Sequence, residues 1–197
     1  MMFLFFDTET TGIPANYKAP VTDVLNWPRL VQLAIELWND KGEFQFAYNQ
    51  IILPLGFEIP EKASAIHGIT TQIAREKGIF LQRAMMEFSW MTQLAQYIVG
   101  HNLAYDRSIV SCELFRCGME NILAPALPAK QICTMDASKE FCSIPFPDGT
   151  GCKWPKLNEL YFKLFGRDFE NAHDAKNDVH ATAECFFELI KRKIIVL

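Results

Sequence analysis

The sequence has few of the features that mark secreted, zinc-binding or membrane proteins. Its six cysteines form no CxxC pair and have no zinc-type spacing to any of the four histidines, so we expect reduced thiols. No apolar run approaches the roughly 20 residues that a membrane-spanning helix needs. The apolar N-terminus lacks a basic segment and stops at Asp7, so it is not a signal peptide. These absences predict a cytoplasmic protein with no membrane partner.

Positive charge is also scarce. The chain has 19 Lys and Arg against 23 Asp and Glu, which gives a net charge of −4. A nucleic-acid partner therefore cannot be held by a broad cationic surface, and its affinity must come mostly from a local site. Apolar residues are abundant: half of the 197 residues are hydrophobic and 13% are aromatic, enough for a real core. We predict one domain over residues 1–197.

The first twelve residues, MMFLFFDTETTG, carry the most informative pattern. An unbroken apolar run over residues 1–6 ends in Asp7-Thr8-Glu9. Such a run predicts a strand that is covered on both faces, near the centre of an α/β sheet. Because side chains alternate along a strand, we expect Asp7 and Glu9 on one side and Thr8 pointing away. Two adjacent carboxylates repel each other unless protons or a cation relieve the charge, which favours a divalent metal such as Mg²⁺ or Mn²⁺.

Strand patterns come first along the chain, and strand–helix alternation follows. Residues 31–38 and 43–53 flank an Asn-Asp-Lys-Gly turn, which is typical of a hairpin. Two further short strands are expected at residues 97–100 and 131–134. Helices are expected at residues 63–68, 71–77, 82–96, 103–117, 135–142, 157–165 and 174–193, and loops at 13–29 and 143–151. This order predicts an α/β fold in which helices flank a mixed sheet, an antiparallel meander plus parallel strands.

A third acid lies on the apolar stripe of a predicted helix. Asp106 follows Leu103 by three residues and precedes Val110 by four, so it shares their core-facing side. A carboxylate in that position is costly unless it is paired or bound to metal. It also lies in the first helical turn, where the helix dipole favours negative charge. The pattern leaves both interpretations open.

The last predicted helix has a similar arrangement. Asp178 flanks its apolar face, and His173 lies at or just before the helix start. A histidine at the non-helical entrance can lean over the same site as Asp178, although five helical residues would separate them by roughly 140°. His180 lies on the other side of the apolar face and is predicted to be an ordinary, partly buried histidine.

These residues fall into four motifs. They are FFDTETTG at 5–12, HGIT at 67–70, GHNLAYD at 100–106 and HDAKND at 173–178. In this order and spacing the chain resembles the DEDD-type 3′–5′ exonucleases of the ribonuclease H-like superfamily, in the DEDDh subgroup with histidine in the last motif. Polymerase proofreading subunits, such as DNA polymerase III epsilon, and ribonuclease T-like enzymes belong to that subgroup. The resemblance spans residues 3–189.

The resemblance implies a ribonuclease H-like mixed five-stranded sheet and an assignment for each site residue. Two divalent ions, Mg²⁺ or Mn²⁺, would be held by Asp7, Glu9, Asp106 and Asp178. The general base would be His173. Positions near the terminal nucleotide are matched by Thr10, Thr11, His67 and Asn102. The implied reaction is hydrolytic release of nucleoside 5′-monophosphates from a 3′ end.

The substrate and the partners stay open at this stage. The leading hypothesis is an exonuclease on single-stranded DNA, in proofreading or repair. The alternative is an exoribonuclease that trims RNA ends, because nothing in the sequence identifies a reader of the 2′-hydroxyl. A non-catalytic nucleic-acid-binding module is the second alternative, although its mark would be a lost acid or histidine and all five positions are filled. A DNA polymerase is a candidate partner, but no docking tail is expected after the last predicted helix.

Trp154 lies in a Lys-Trp-Pro-Lys segment that belongs to none of the four motifs. A tryptophan flanked by lysines can stack a base and hold phosphate. It can equally pack beneath a proline-rich loop, and the sequence does not separate these two interpretations.

Overall fold

The computed structural model describes residues 1–119, 130–169 and 174–197. Their central feature is a five-stranded sheet with the strand order β3-β2-β1-β4-β5. The strands are β1 (Met2–Thr10), β2 (Leu30–Asn39), β3 (Phe44–Ile51), β4 (Tyr97–Gly100) and β5 (Lys130–Cys133). The pairs β1–β2 and β2–β3 are antiparallel, whereas β1–β4 and β4–β5 are parallel. The predicted mixed sheet is therefore confirmed.

Helices cover both faces of this sheet. They are α1 (Glu61–His67), α2 (Thr71–Lys77), α3 (Leu81–Leu94), α4 (Leu103–Arg116), α5 (Thr134–Ala137), α6 (Lys139–Cys142), α7 (Leu157–Phe165) and α8 (Ala175–Lys191). Leu4 and Phe6 pack with α3 and α4 in one core, and Phe3 and Phe5 pack with α7 and α8 in another. Both sets of β1 side chains are thus buried, as the unbroken apolar run predicts. In the described part of the chain, none of the helices combines the length and apolarity that a bilayer crossing requires.

Strand β1 continues through both acids to Thr10, and Asp7 and Glu9 pair within the sheet with β2. Two regions differ from the sequence prediction. The helix predicted at 135–142 is two short helices, because the Ser138 hydroxyl donates to the Thr134 carbonyl at 2.6 Å and competes for the backbone there. The loop predicted at 143–151 contains β6 (Ile144–Pro145), which forms a small hairpin with β7 (Cys152–Lys153).

The parallel strands determine where a site can form. Phe5 pairs with Val99 and Gly100 pairs with Cys133, so β1, β4 and β5 have their carboxyl ends at one edge of the sheet. Helix α4 starts directly after β4, with Asn102 as its N-cap in the left-handed conformation at φ 66°. Ligands of open α/β sheets bind outside such carboxyl ends. The first turn of α4 therefore lies at the same edge as the acidic end of β1.

Candidate active site

Three carboxylates meet at this edge of the sheet. Asp7 and Glu9 come from β1, and Asp178 comes from the first turn of α8. Each offers one oxygen atom, and these oxygens all lie within 4.8 Å of one another. Because Phe3 and Phe5 pack against α8, the alternation along β1 also brings Asp7 and Glu9 to the α8 side.

The fourth predicted ligand, Asp106, enters from the opposite face of the sheet. It is buried in the first turn of α4. Its Oδ1 accepts a hydrogen bond from the Thr8 backbone N–H at 3.0 Å and from the Thr8 hydroxyl at 2.6 Å. Thr8 does point away from Asp7 and Glu9, as the alternation predicts, but it points toward α4 and holds Asp106.

The carboxylates disfavour one another's ionisation. Burial, followed by the charges of Asp106, Asp178 and Glu9, raises the pKa of Asp7 well above its usual value. Burial and the charges of Asp178 and Asp106 raise the pKa of Glu9 to about 8. Burial raises the pKa of Asp106 to about 7, although both hydrogen bonds from Thr8 oppose the rise. Without a cation the site therefore takes up protons near neutral pH.

The donor set fits divalent metal ions. All four side chains offer hard oxygen ligands, which Mg²⁺ and Mn²⁺ prefer, and a dication would remove the repulsion that raises these pKa values. Asp7 and Glu9 keep some solvent exposure, which leaves an approach to their oxygens. The structure thus brings Asp7, Glu9 and Asp178 together, and the charge of Asp106 acts on Asp7 and Glu9.

A cavity of about 280 Å³ adjoins Glu9 on the open side of the site. Three of the four residues predicted to lie near a nucleotide line it: Thr10, His67 and Asn102. Thr11 lies outside this lining. Its backbone N–H donates to the Arg29 carbonyl at 2.9 Å, and its hydroxyl accepts from the Arg29 N–H at 2.9 Å. Thr11 therefore holds the segment that leads into β2.

Polar groups in the cavity are held in defined positions. The Thr10 hydroxyl donates to the Gly12 carbonyl at 2.7 Å and lies 2.7 Å from the Tyr105 hydroxyl. Nδ1 of His67 accepts from the Ile69 N–H at 3.1 Å. Burial lowers the pKa of His67, and the nearby Thr10 carbonyl offsets this only in part. His67 is therefore neutral at pH 7, and its ring proton is on Nε2, which is buried.

His173 lies outside the described residues, so its assignment as general base stays a prediction. The other histidine of this region, His180, has its Nδ1 3.2 Å from the buried Glu36 carboxylate. The hydrogen bond to Glu36 raises the pKa of His180. His180 thus has a partner of its own on β2, consistent with the ordinary role expected from its position on the helix.

The structure adds two residues that the sequence analysis did not single out. Thr8 orients Asp106, and Tyr105 lines the cavity with its hydroxyl bonded to Thr10 and Gly12. Both stand inside quoted motifs, adjacent to a predicted metal ligand. Their position next to a predicted ligand was the only indication in the sequence. Neither the strand alternation nor the apolar helix stripe gave a reason to select Thr8 or Tyr105.

Trp154 is half-exposed, with 50% of its surface accessible, so the interpretation that it packs beneath a loop is wrong. The Lys139 ammonium lies 4.1 Å from the ring centroid, a cation–π contact. The following residue, Pro155, accepts a hydrogen bond from Nε2 of His101 at 3.0 Å. This contact ties the Trp154 segment to the end of β4, beside Asn102. Base stacking by Trp154 stays a prediction.

Comparison with known proteins agrees with this geometry. A family model described as exonuclease, RNase_T, matches residues 4–186. Among solved structures the chain is similar to exonuclease I, with a TM-score of 0.77 and 21% identity over 98% of this chain. E. coli exonuclease I in complex with a dT13 oligonucleotide gives a TM-score of 0.76 and 22% identity over 96% of this chain. Exonuclease I from Methylocaldum szegediense gives a TM-score of 0.75 and 17% identity over 98%.

This chain spans only about two fifths of those proteins, 42% of the first and 41% of the other two. At these identities the likeness to solved structures concerns the fold. No curated protein matches the chain in sequence.

Proposed function

Since the chain belongs to the exonuclease family, as a DEDD-type member of the ribonuclease H-like superfamily, we propose that it is a two-metal-dependent 3′–5′ exonuclease. It removes nucleoside 5′-monophosphates from the 3′ end of single-stranded DNA, in proofreading or repair. One observation carries the proposal: Asp7, Glu9 and Asp178 offer oxygens within 4.8 Å of one another, beside a cavity of about 280 Å³.

The four carboxylates would hold two divalent ions, Mg²⁺ or Mn²⁺. Such a pair, when bound, stabilises the attacking and leaving oxygens of a phosphodiester hydrolysis. Thr8 orients Asp106 toward the site, because its backbone N–H and its hydroxyl both donate hydrogen bonds to Oδ1 of Asp106. His173 would accept the proton of the attacking water, for which an ordinary histidine pKa near 6.5 is suited at neutral pH.

The cavity supports binding of one terminal nucleotide. His67 offers a buried Nε2–H and Asn102 offers its amide, both suited to sugar hydroxyls or phosphate oxygens. The Thr10 hydroxyl is already bonded within the protein, so its role is to shape this wall. Thr11 would act on the nucleotide only through the segment that it holds at Arg29.

Single-stranded DNA is the favoured substrate because E. coli exonuclease I, which has this fold, has been solved in complex with dT13 and dA16 oligonucleotides. RNA ends are the competing substrate, and the assay below distinguishes them. Association with a DNA polymerase, a cytoplasmic location and a single domain over residues 1–197 stay predictions.

The test uses purified protein with DNA and RNA oligonucleotides labelled at either end, in Mg²⁺, Mn²⁺ or EDTA. We expect stepwise shortening of 5′-labelled DNA and release of labelled mononucleotide from 3′-labelled DNA. EDTA and Asp7→Ala should abolish both. Asp148→Ala, which removes an exposed acid in the hairpin turn, is the matched control and should keep full activity.

Activity in EDTA, or undiminished activity of Asp7→Ala, contradicts the two-metal proposal. Mononucleotide release from the 5′ end reverses the proposed polarity. Degradation of RNA with DNA left intact would show that the substrate is the end of an RNA strand and not of a DNA strand.

A further inference from the structure

The segment between β1 and β2, residues 13–29, supplies part of the cavity wall. Ile13 and Tyr17 from this segment line the cavity, together with residues of α1 and α4. The ring of Tyr17 lies next to that of Tyr105, with 6.3 Å between the centroids and an angle of 45° between the planes. Tyr17 is 58% exposed. The two rings form one aromatic wall, which we call the tyrosine wall, and its Tyr17 end is open to a ligand.

The Tyr105 end of the tyrosine wall is fixed relative to the carboxylates. Its hydroxyl lies 2.8 Å from the Gly12 carbonyl, to which it donates, and 2.7 Å from the Thr10 hydroxyl. Tyr105 also immediately precedes Asp106 on α4. A ring stacked here would therefore have a defined distance to the proposed metal ligands.

The carboxyl-terminal part of the segment is anchored on a buried acid. Glu113 of α4 is fully buried, and its Oε1 accepts hydrogen bonds from the Leu30 N–H, the Arg29 side chain and the Arg116 side chain, each at 2.9 Å. The Arg116 guanidinium also donates to segment carbonyls, those of Val24 at 2.6 Å, Trp27 at 2.5 Å and Pro28 at 3.2 Å. Charge-assisted bonds of this kind are strong, so residues 24–29 are firmly attached to α4.

The part of the segment that carries Tyr17 is cross-linked to the anchored part. The Asn16 N–H donates to the side-chain carbonyl of Asn26 at 2.8 Å, and the Asn26 amide donates back to the Asn16 carbonyl at 3.0 Å. The Trp27 indole N–H donates to the Pro20 carbonyl at 3.1 Å. Tyr17 thus follows a doubly bonded residue, which restrains the backbone that carries its ring.

We propose that Tyr17, at the open end of the tyrosine wall, stacks on the nucleobase of the terminal nucleotide. The inference rests on the proposed function, because it gives the cavity beside Glu9 its occupant. Every base has a π face, so stacking is tolerant of sequence. The cavity volume of about 280 Å³ suits one nucleoside. Ile13 and Ile66, both exposed in the lining, extend the same apolar surface.

The experiment combines Tyr17→Ala with removal of the base from the substrate. Two DNA oligonucleotides differ only in the last residue, which is thymidine in one and an abasic tetrahydrofuran nucleotide in the other. On the thymidine end, Tyr17→Ala should lower kcat/KM about tenfold, mostly through KM, because one base stack is lost. On the abasic end it should match the wild type within about twofold. Tyr17→Phe should keep wild-type values on both ends.

Leu25→Ala is the matched control, because Leu25 is a 95% exposed apolar residue of the same segment that lies outside the cavity lining. It should behave as wild type on both substrates. Equal losses for Tyr17→Ala on the thymidine and abasic ends overturn the proposal, since they indicate a role in holding the segment. A tenfold loss in Tyr17→Phe likewise overturns stacking, because the ring is then insufficient.

A binding measurement separates this inference from the proposed activity. Fluorescence anisotropy of the same labelled oligonucleotides with the Asp7→Asn protein needs no hydrolysis. Tyr17→Ala in that background should weaken binding of the thymidine end about tenfold and leave the abasic end unchanged. If the enzyme hydrolyses neither DNA nor RNA and this difference persists, the proposed function fails and the stacking site stands. If hydrolysis occurs and the difference is absent, the stacking proposal is contradicted and the proposed function stands.

Discussion

Both hydrogen bonds of Thr8 end on Oδ1 of Asp106, the hydroxyl at 2.6 Å and the backbone N–H at 3.0 Å. A substitution of Thr8 leaves the hydrogen bond from its backbone N–H in place, so the effect of the substitution reports the contribution of the hydroxyl. A neutral donor to a carboxylate contributes roughly 1.5–3 kcal/mol, and here it favours the charged form of Asp106. One hydroxyl thus sets both the orientation and the proton affinity of a proposed metal ligand.

Thr8→Val should raise the pKa of Asp106 further above about 7, weaken metal binding and lower kcat roughly tenfold at pH 7. Titration of activity with Mg²⁺ measures this, and the half-saturating concentration should rise. Thr8→Ser keeps the hydroxyl and should stay close to wild type. Equal metal dependence in the valine and serine variants would show that the hydroxyl has no such role.

His173→Ala should lower the hydrolysis rate by about 10²–10⁴-fold, the range for loss of a general base. Metal binding, measured by calorimetry, should be largely kept because His173 is not among the proposed ligands. His180→Ala is the matched control, since its ring is bonded to Glu36. An unchanged rate in His173→Ala means that another group takes the proton.

The raised carboxyl pKa values also predict how stability depends on pH in EDTA. Glu9 has a pKa of about 8 in the folded protein and near 4.3 when unfolded, so the folded state holds the extra proton between these values. The free energy of unfolding should therefore fall as pH rises from about 4.3 to about 8 and level off above that. Urea denaturation measures the slope, which Asp7→Asn should reduce. A slope that is the same in the variant contradicts the mutual repulsion.

At the scale of elements, the site depends on how the segment 13–29 is attached to α4. Arg116 is the centre of that attachment, because it joins the buried Glu113 to three backbone carbonyls. Removing one partner of a buried ion pair costs about 3–5 kcal/mol, whereas exposed pairs contribute little. The contacts between this segment and α4 are thus far more costly to lose than a surface ion pair.

Arg116→Met should lower the free energy of unfolding by about 3 kcal/mol, measured by urea denaturation. It should also raise KM for DNA, because the segment that carries Tyr17 loses its anchor. Arg75→Met is the control: Arg75 forms an exposed pair with Glu58 at 3.3 Å, and its loss should cost less than about 1 kcal/mol. Equal costs for the two substitutions would contradict the anchoring role.

Local periodicity predicted the elements well where one face or both faces of an element are buried. The apolar run before Asp7 and the stripe that includes Asp106 placed two of the three chain regions of the site on the correct kinds of element. Local periodicity could not predict contacts between residues that are far apart in sequence. Thr8 meets Asp106 and Arg29 meets Glu113 only because α4 crosses the end of β1, and no spacing within either element encodes that crossing. The role of His173 still rests on the motif alone.

At the scale of the molecule, the carboxyl edge of the sheet extends beyond the cavity toward Trp154. Pro155 is tied to His101, which adjoins Asn102 of the cavity. β5 lies two strands from β1, roughly 10 Å at the usual strand spacing. Lys139, whose ammonium lies over the Trp154 ring, belongs to the chain that follows β5. A strand leaving the active site along this edge would meet an aromatic ring and a cation together.

Trp154→Ala should weaken binding of a long single strand about tenfold and leave a dinucleotide nearly unaffected. Anisotropy with both ligands measures the difference. Trp90→Ala is the matched control: Trp90 is 55% exposed, but it lies near the end of α3 that leads to the amino end of β4. Equal effects of Trp154→Ala on both ligands would contradict an upstream contact.

The proposed metal ligands come from the first strand, the middle of the chain and the last helix. A chain that is still emerging from the ribosome carries Asp7 and Glu9 long before Asp178 has been synthesised. Until α8 docks on β1, the site lacks the carboxylate of Asp178 and its proposed set of four metal ligands is incomplete. For the proposed exonuclease, hydrolysis would therefore have to wait until α8 has been synthesised and has docked on β1.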